Sequence, residues 1–144
     1  MAKIVKWRGP EVLKAVEANM AKAIGEYALR VEGHAKRQLR KGHGVLTGTL
    51  RRSIHTAQND YNWSGDQAED GPERGGKLIE GVKKGKGITI QVGSGLVYAM
   101  AIHQGWPAGY KNMNGSFEGY HFITEGQIKA KPELPAVLKK YRLK

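Results

Sequence analysis

Apolar residues recur through the first third of the chain at Leu13, Val16, Met20, Ile24, Tyr27, Val31, Ala35 and Leu39. Steps of three and four place them on one face of an α-helix. Gly9-Pro10 supplies a start, because proline fits the first helical turn, and Glu11 suits the positive end of the helix dipole. The pattern predicts a helix from about residue 10 to residue 41, ending near Gly42. At about 1.5 Å per residue that is about 45 Å, which is long for a chain of 144 residues. A helix of this length packs on a sheet, on neighbouring subunits, or on both. Gly25 and Gly33 lie inside it and cost roughly 1 kcal/mol each against alanine. Close approach of another backbone is one possible compensation.

The remaining elements are shorter. "HGVLTGTLRRSIHT" at 43–56 reads as a turn of helix with Thr47 as its cap, passing into a strand near Ile54. Between 57 and 80 the apolar period is lost, and acids, glycines and Pro72 describe a long extended loop or arm. "GITIQV" at 87–92 alternates as a strand, with Ile88, Ile90 and Val92 on one face. A helix of about ten residues follows, capped by Ser94 or Gly95 and stopped by Gly105. Asn114-Gly115 is a tight-turn signal, and residues 122–141 are helical in texture, interrupted by Pro132 and Pro135. "KIVKW" at 3–7 reads as a short strand. The expectation is one α+β domain spanning 1–144: a long N-terminal helix packed on a small, mostly antiparallel sheet, an extended loop and a C-terminal helix.

Several chemistries find no support. The chain has no cysteine, so no disulfide framework or thiolate metal site can form. No run approaches the ~18 apolar residues of a membrane span, and the N-terminus lacks a signal peptide's apolar core. The expectation is a protein without a membrane segment, made in the cytoplasm. In "VGSGLVYAMAIHQG" at 92–105, Gly93 and Gly95 fit a dinucleotide fingerprint, but Tyr98 stands where the third glycine belongs. "GPERGGKL" at 71–78 places Leu78 where a phosphate loop needs serine or threonine. Ser53, Ser94 and Ser116 could pair with His55, His103 or His121, yet none sits in a nucleophile elbow. His34 and His43 flank the helix end without metal-ligand spacing. No catalytic residue, cofactor or metal is expected, and the segment 92–105 reads as a structural corner in which His103 packs or caps near a helix C-terminus.

Lysine and arginine total 24 against 13 acids, a formal charge of +11, which suits contact with nucleic acid or an acidic protein face. Arg30, Lys36, Arg37, Arg40, Lys41, Arg51 and Arg52 face a single acid, Glu32, between 30 and 52. No helix-turn-helix, zinc finger or RNA-binding aromatic pattern accompanies them. Contact with nucleic acid would therefore be to the phosphate backbone, and a small basic nucleic-acid-binding protein using 30–52 and 129–144 is the alternative function.

The order of segments is itself distinctive. "EGHAKRQLRKG" ends the long helix, "LTGTLRRSI" and a polar loop follow, "ITIQVGS" leads to "YAMAIHQG", and "YHFITEG" opens the last helix. This order resembles the tail-completion, or head–tail joining, family of tailed bacteriophages, neck components akin to the minor tail protein Z type. The matching positions are Ala35-Lys36, then Thr47, Gly48, Leu50, Arg51 and Ile54, and in the second half Tyr98, Ala99, His103 and Gly105. The tail "KAKPELPAVLKKYRLK" departs from the smoother amphipathic helix of that family.

The resemblance implies a non-enzymatic structural virion protein, assembled in the host bacterial cytoplasm as a ring at the head–tail joint. Such a ring completes the tail end and connects it to the DNA-filled capsid. Its partners would be further copies of itself, with six-fold closure preferred over twelve-fold, and adjoining connector, head-closure, tail-terminator or tail-tube proteins. Genome DNA would pass through the lumen, so most of the basic charge is expected on outer or interface surfaces. Under this resemblance Arg51, Arg52 and His103 are candidate subunit contacts. Asp66, Glu69 and Asp70 on the loop are candidate arm residues reaching a basic face such as 36–52 of the next subunit.

Overall fold

The structure, a computed structural model, describes residues 7–42, 44–45, 48–66, 76–110 and 115–143. Helix α1 spans Gly9–Gln38 and begins with proline in its first turn. It stops three residues before the expected end because Leu39 turns extended and drops into the core. Strand β1 (Arg40–Lys41) pairs in parallel with β2 (Gly44–Val45). Helix α2 (Thr49–Ser53) leads directly into β3 (His55–Ala57). Strands β4 (Val82–Lys84) and β5 (Gly87–Thr89) form an antiparallel hairpin. Strand β6 (Gln91–Gly93) pairs antiparallel with β3, His55 opposite Gly93 and Ala57 opposite Gln91. Helix α3 (Ala99–Gln104) follows, then α4 (Phe122–Ala130), one 3-10 turn at Lys131–Glu133, and α5 (Leu134–Tyr141). The architecture is α+β, with strands paired two by two and mostly antiparallel. None of the described helices is long and apolar enough to cross a membrane.

The core lies under the C-terminal half of α1. Ala35, Leu39, Leu50, Ile54, Leu96, Ala99 and Phe122 form one buried cluster, with Val92, Ile102, Tyr120 and Ile123 packed around it. Helix α4 lies along α1, and the fit depends on small residues. A Cβ on Gly126 would come within 2.8 Å of the Val31 carbonyl oxygen and 2.9 Å of the Ala35 nitrogen. Helix α5 buries Val137 and is tied to α1 by Glu26, which accepts from Lys140 Nζ at 2.8 Å and from the Tyr141 hydroxyl at 2.7 Å. On the same helix Arg30 reaches Glu133 at 2.6 Å, and His34 bonds the other oxygen of that carboxylate.

Two expectations need correction. The strand pattern over 87–92 covers two strands, because Ile90 is a break and β5 and β6 pair with different partners. The helix before Gly105 has six residues rather than about ten, starting after Tyr98. Ser94 closes a tighter turn instead, its Oγ accepting from the Leu96 N–H. The expected strand at 3–7 lies outside the described residues except for Trp7, which is not in a strand.

Candidate functional site

The corner at 92–105 is built by its neighbours. Gly95 has no room for a side chain because the backbone of Trp63 and the Cβ of Asp66 press on it, and the Trp63 ring covers Gly93. The glycines that resembled a phosphate cradle thus receive the end of the loop. Gly105 ends α3 at φ 80°, a left-handed backbone that suits glycine. A Cβ there would overlap the Phe117 carbonyl, where Trp106 and Phe117 exchange both main-chain hydrogen bonds at 2.7 and 2.9 Å. The segment 117–121 runs back along this end of α3, and Tyr120 and His121 donate to the Ile102 and His103 carbonyls.

His103 does not serve the C-terminus of its own helix. Its ring meets Phe122 edge-on at 4.9 Å, and its Nδ1 accepts a long 3.4 Å bond from the Ile123 N–H, at the start of α4. Nε2 then carries the proton and faces the Thr124 hydroxyl. Burial, followed by the charge of nearby His121, pushes the imidazole pKa below its ordinary 6.5. Neutral His103 is therefore a bridge from α3 to α4: of the two expected roles near a helix C-terminus, it packs and does not cap.

The loop end expected to be an exposed arm is folded onto the body. Tyr61 and Trp63 close around His55, the three rings spaced 4.8–5.0 Å apart. The Trp63 indole N–H donates to Gln91. Asp66, expected to face a neighbouring subunit, is only 7% exposed and accepts from the Tyr61 hydroxyl at 2.8 Å. Its carboxylate is engaged within its own chain, so the arm role is withdrawn for this residue. Glu69, Asp70 and Thr47 lie outside the described residues. The missed signal was aromatic: "NDYNWSGD" carries a tyrosine and a tryptophan in an otherwise polar segment, and two large rings favour burial.

This cluster brings together the ingredients of acid–base chemistry but wires them to the backbone. Ser53 Oγ donates to the Leu50 carbonyl at 2.7 Å, so the 2.6 Å bond to Ser94 must carry the Ser94 proton. His55 Nδ1 lies 2.8 Å from the Ser53 carbonyl and donates to it; it does not address the hydroxyl. His55 Nε2 stands 3.6 Å from Asp66, sealed from solvent and without a hydrogen-bond partner. A cleft of about 530 Å³ borders the cluster, lined by His55, Ala57, Tyr61, Asp60, Lys77 and Ile79. With Nε2 sealed, nothing bound in that cleft reaches the nitrogen in this structure. Among the described residues no group of three potential metal ligands converges.

Glu32 is a further residue that sequence reasoning passed over. It sits in the buried half of α1 at 3% exposed, and Oε2 accepts from both the N–H and the hydroxyl of Thr56, at 3.1 and 3.0 Å. Oε1 accepts from the Gly76 N–H at 3.0 Å and pairs with Lys36 Nζ at 2.9 Å. One carboxylate therefore joins α1, β3 and the chain re-entering at Gly76. Only its isolation among seven cations marked it in the sequence.

The other motif positions are joints of the fold. Ala35 is fully buried where α1 meets α4, Lys36 is tied to Glu32, and Gly48 starts α2 at φ 82°. Leu50, Ile54 and Ala99 are core. Tyr98 is partly exposed. Arg52 lies over Gly48, with its guanidinium 3.0 Å from the position of a glycine Cβ, whereas Arg51 is exposed. Part of the basic charge is paired within the chain: Arg30 with Glu26 and Glu133, Lys83 with Glu17, and Lys140 with Glu26. Comparison with protein-family models, with curated proteins and with solved structures finds no match to this chain.

Proposed function

We propose that this chain is a structural subunit of a tailed-phage neck, forming a ring that completes the tail end and joins it to the DNA-filled head. One observation carries the proposal: the described motif residues Ala35, Gly48, Leu50, Ile54, Ala99 and Gly105 fall at helix crossings, element ends and core positions. A motif whose residues hold a scaffold fits a structural family better than a catalytic one. The sealed His55 nitrogen and the backbone-bound Ser53 are consistent with that role. The arm contact through Asp66 is not part of the proposal. Arg51, being exposed, remains a candidate for contact with a neighbour.

Native mass measurement with negative-stain electron microscopy tests the proposal, and a closed ring of six or twelve copies is the expected result. A monomer that binds duplex DNA, with affinity falling by about three orders of magnitude between about 50 and 200 mM salt, would overturn it in favour of a backbone-directed nucleic-acid-binding protein.

A further inference from the structure

We infer that the uncovered first half of α1 is the seat of a second copy of this chain, and that the segment docking there is the neighbour's Val97–Met100 knob. This rests on the reading of the chain as a ring subunit and specifies the contact that repeats around the ring. The core and α4 cover α1 only from about Ala23 onward. Before that, the Gly81 N–H reaches the Ala21 carbonyl and Lys83 reaches Glu17, but among the described residues the apolar positions of the stripe stay more than a third exposed. Trp7 is 84% exposed and Leu13 60%, and with Pro10, Val12 and Val16 they line a shallow groove of about 660 Å³. The Trp7 indole lies against Gly9, where any Cβ would overlap the ring. Taken together the stripe leaves roughly 500 Å² of apolar side chain in water, at the upper end of what one patch on a monomer exposes. It is also about the apolar share of one side of a standard interface, which is roughly 800 Å² per partner and a little over half non-polar.

The occupant follows from charge and shape. At +11, two copies repel across most of their surfaces. Residues 87–110 contain no lysine, arginine, aspartate or glutamate. Within that stretch Val97 is 82% exposed and Met100 68%, and the two flank the point where the turn passes into α3. Leu96 and Ala99 are buried beneath them, and the Ala99 N–H is bonded to the Leu96 carbonyl at 3.0 Å. The knob is thus fixed in place and loses little entropy on docking. Along the stem Arg8, Glu11, Lys14 and Glu17 alternate in sign, so no net field opposes a neutral knob. An acidic partner would address the lysines and arginines instead. Because stem and knob are different surfaces of one chain, the contact is head-to-tail and can repeat.

The test uses crossed variants of the full chain, Leu13→Glu in the stem and Met100→Glu in the knob, like charges that repel where the two altered surfaces meet, read by native mass. Each variant alone should associate at least tenfold more weakly than the wild type. An equimolar mixture should give a 1:1 dimer that grows no further, because only the Met100→Glu stem and the Leu13→Glu knob remain intact. Val12→Glu and Val97→Glu, at comparably exposed positions, repeat the test should either first variant lose its helical circular dichroism. A wild-type protein that stays monomeric, or a mixture that does, overturns the inference and assigns the stem to a different protein. Loss of association in Leu13→Glu but not in Met100→Glu overturns it in favour of stem-to-stem contact. Closed rings that persist in both variants overturn this contact and leave the neck proposal standing. Open wild-type chains with the crossed behaviour keep the contact and remove the closed ring.

Discussion

Removing the Glu32 carboxylate is the sharpest test of how this fold is held. Replacing it with glutamine keeps the volume but leaves one acceptor where there were two. If the amide oxygen faces Thr56, the amide N–H₂ meets the Gly76 N–H and the Lys36 ammonium, and the reverse orientation sets it against the Thr56 N–H and hydroxyl. Either way donors face donors: buried ones on the Thr56 side, partly exposed ones on the Gly76 and Lys36 side. Each unsatisfied buried group costs about 1–3 kcal/mol, and Thr56 is 2% exposed, so water offers little relief. Glu32→Gln should therefore lose ~1–3 kcal/mol. Glu32→Ala should lose ~3–5 kcal/mol, because removing one partner of a buried ion pair strands the other. For a chain of this size a loss of ~3–5 kcal/mol lowers Tm by about 10–17 °C. Urea unfolding is the assay, with the midpoint falling and the slope unchanged. A Glu32→Ala variant within 0.5 kcal/mol of the wild type, a threshold set by ordinary surface substitutions at about that value, would refute the placement of this carboxylate as the joint between α1, β3 and Gly76.

The glycines of α1 and α4 should separate by what faces them. Gly33→Ala meets nothing closer than the Arg37 guanidinium at 3.9 Å and should stabilise by up to ~1 kcal/mol, whereas Gly25→Ala, facing the Ile79 carbonyl, and Gly126→Ala, facing Val31 and Ala35, should destabilise by ~1–3 kcal/mol or more; thermal melts that rank Gly33→Ala below either would contradict the packing. Glu26 is held at about 2 by Lys140, then Tyr141, with Arg30 also contributing. A depressed acid stabilises above its unfolded value of 4.5 and loses that contribution as pH falls toward 2. The full drop corresponds to at most ~3 kcal/mol, reduced to ~1–2 kcal/mol by solvent around exposed Lys140. The stability gap between wild type and Glu26→Gln should shrink from pH 7 to pH 3, and a constant gap would argue against the pair. His103 should titrate below 6.5 by NMR, first because it is buried and second because His121 is near. The neutral ring stabilises above 6.5 and that contribution is lost as pH falls through the lower folded value. His121→Asn, a residue that tolerates the φ of 45° at that position, should raise the midpoint partway, and a midpoint at or above 6.5 in the wild type would exclude the bridge from α3 to α4.

What the sequence determined by itself was periodic and local. The three-and-four spacing from Leu13 to Leu39 fixed one helix and its apolar face, proline and glycine marked its start and the stop of α3, and Pro132 and Pro135 broke the last helix into α4 and α5. These features are legible because propensity and hydrophobic period act within a few residues. The period could not say that Val31, Ala35 and Leu39 are covered while Leu13 and Val16 are bare, since both halves of the helix carry the same pattern. The candidate residues divide in the same way. Leu50 and Ile54, apolar motif positions, lie in the core, but Asp66 looked like a solvent-facing acid until Tyr61 and His55 closed around it. Glu32 looked like an ordinary charge in a basic run until Thr56 and Gly76 met it. Burial and hydrogen bonding of a charged side chain depend on segments brought together from 24 and 44 residues away. A single sequence carries no local signal for such meetings, so the tertiary structure alone decided which charges hold the fold and which surfaces remain free to meet a neighbour.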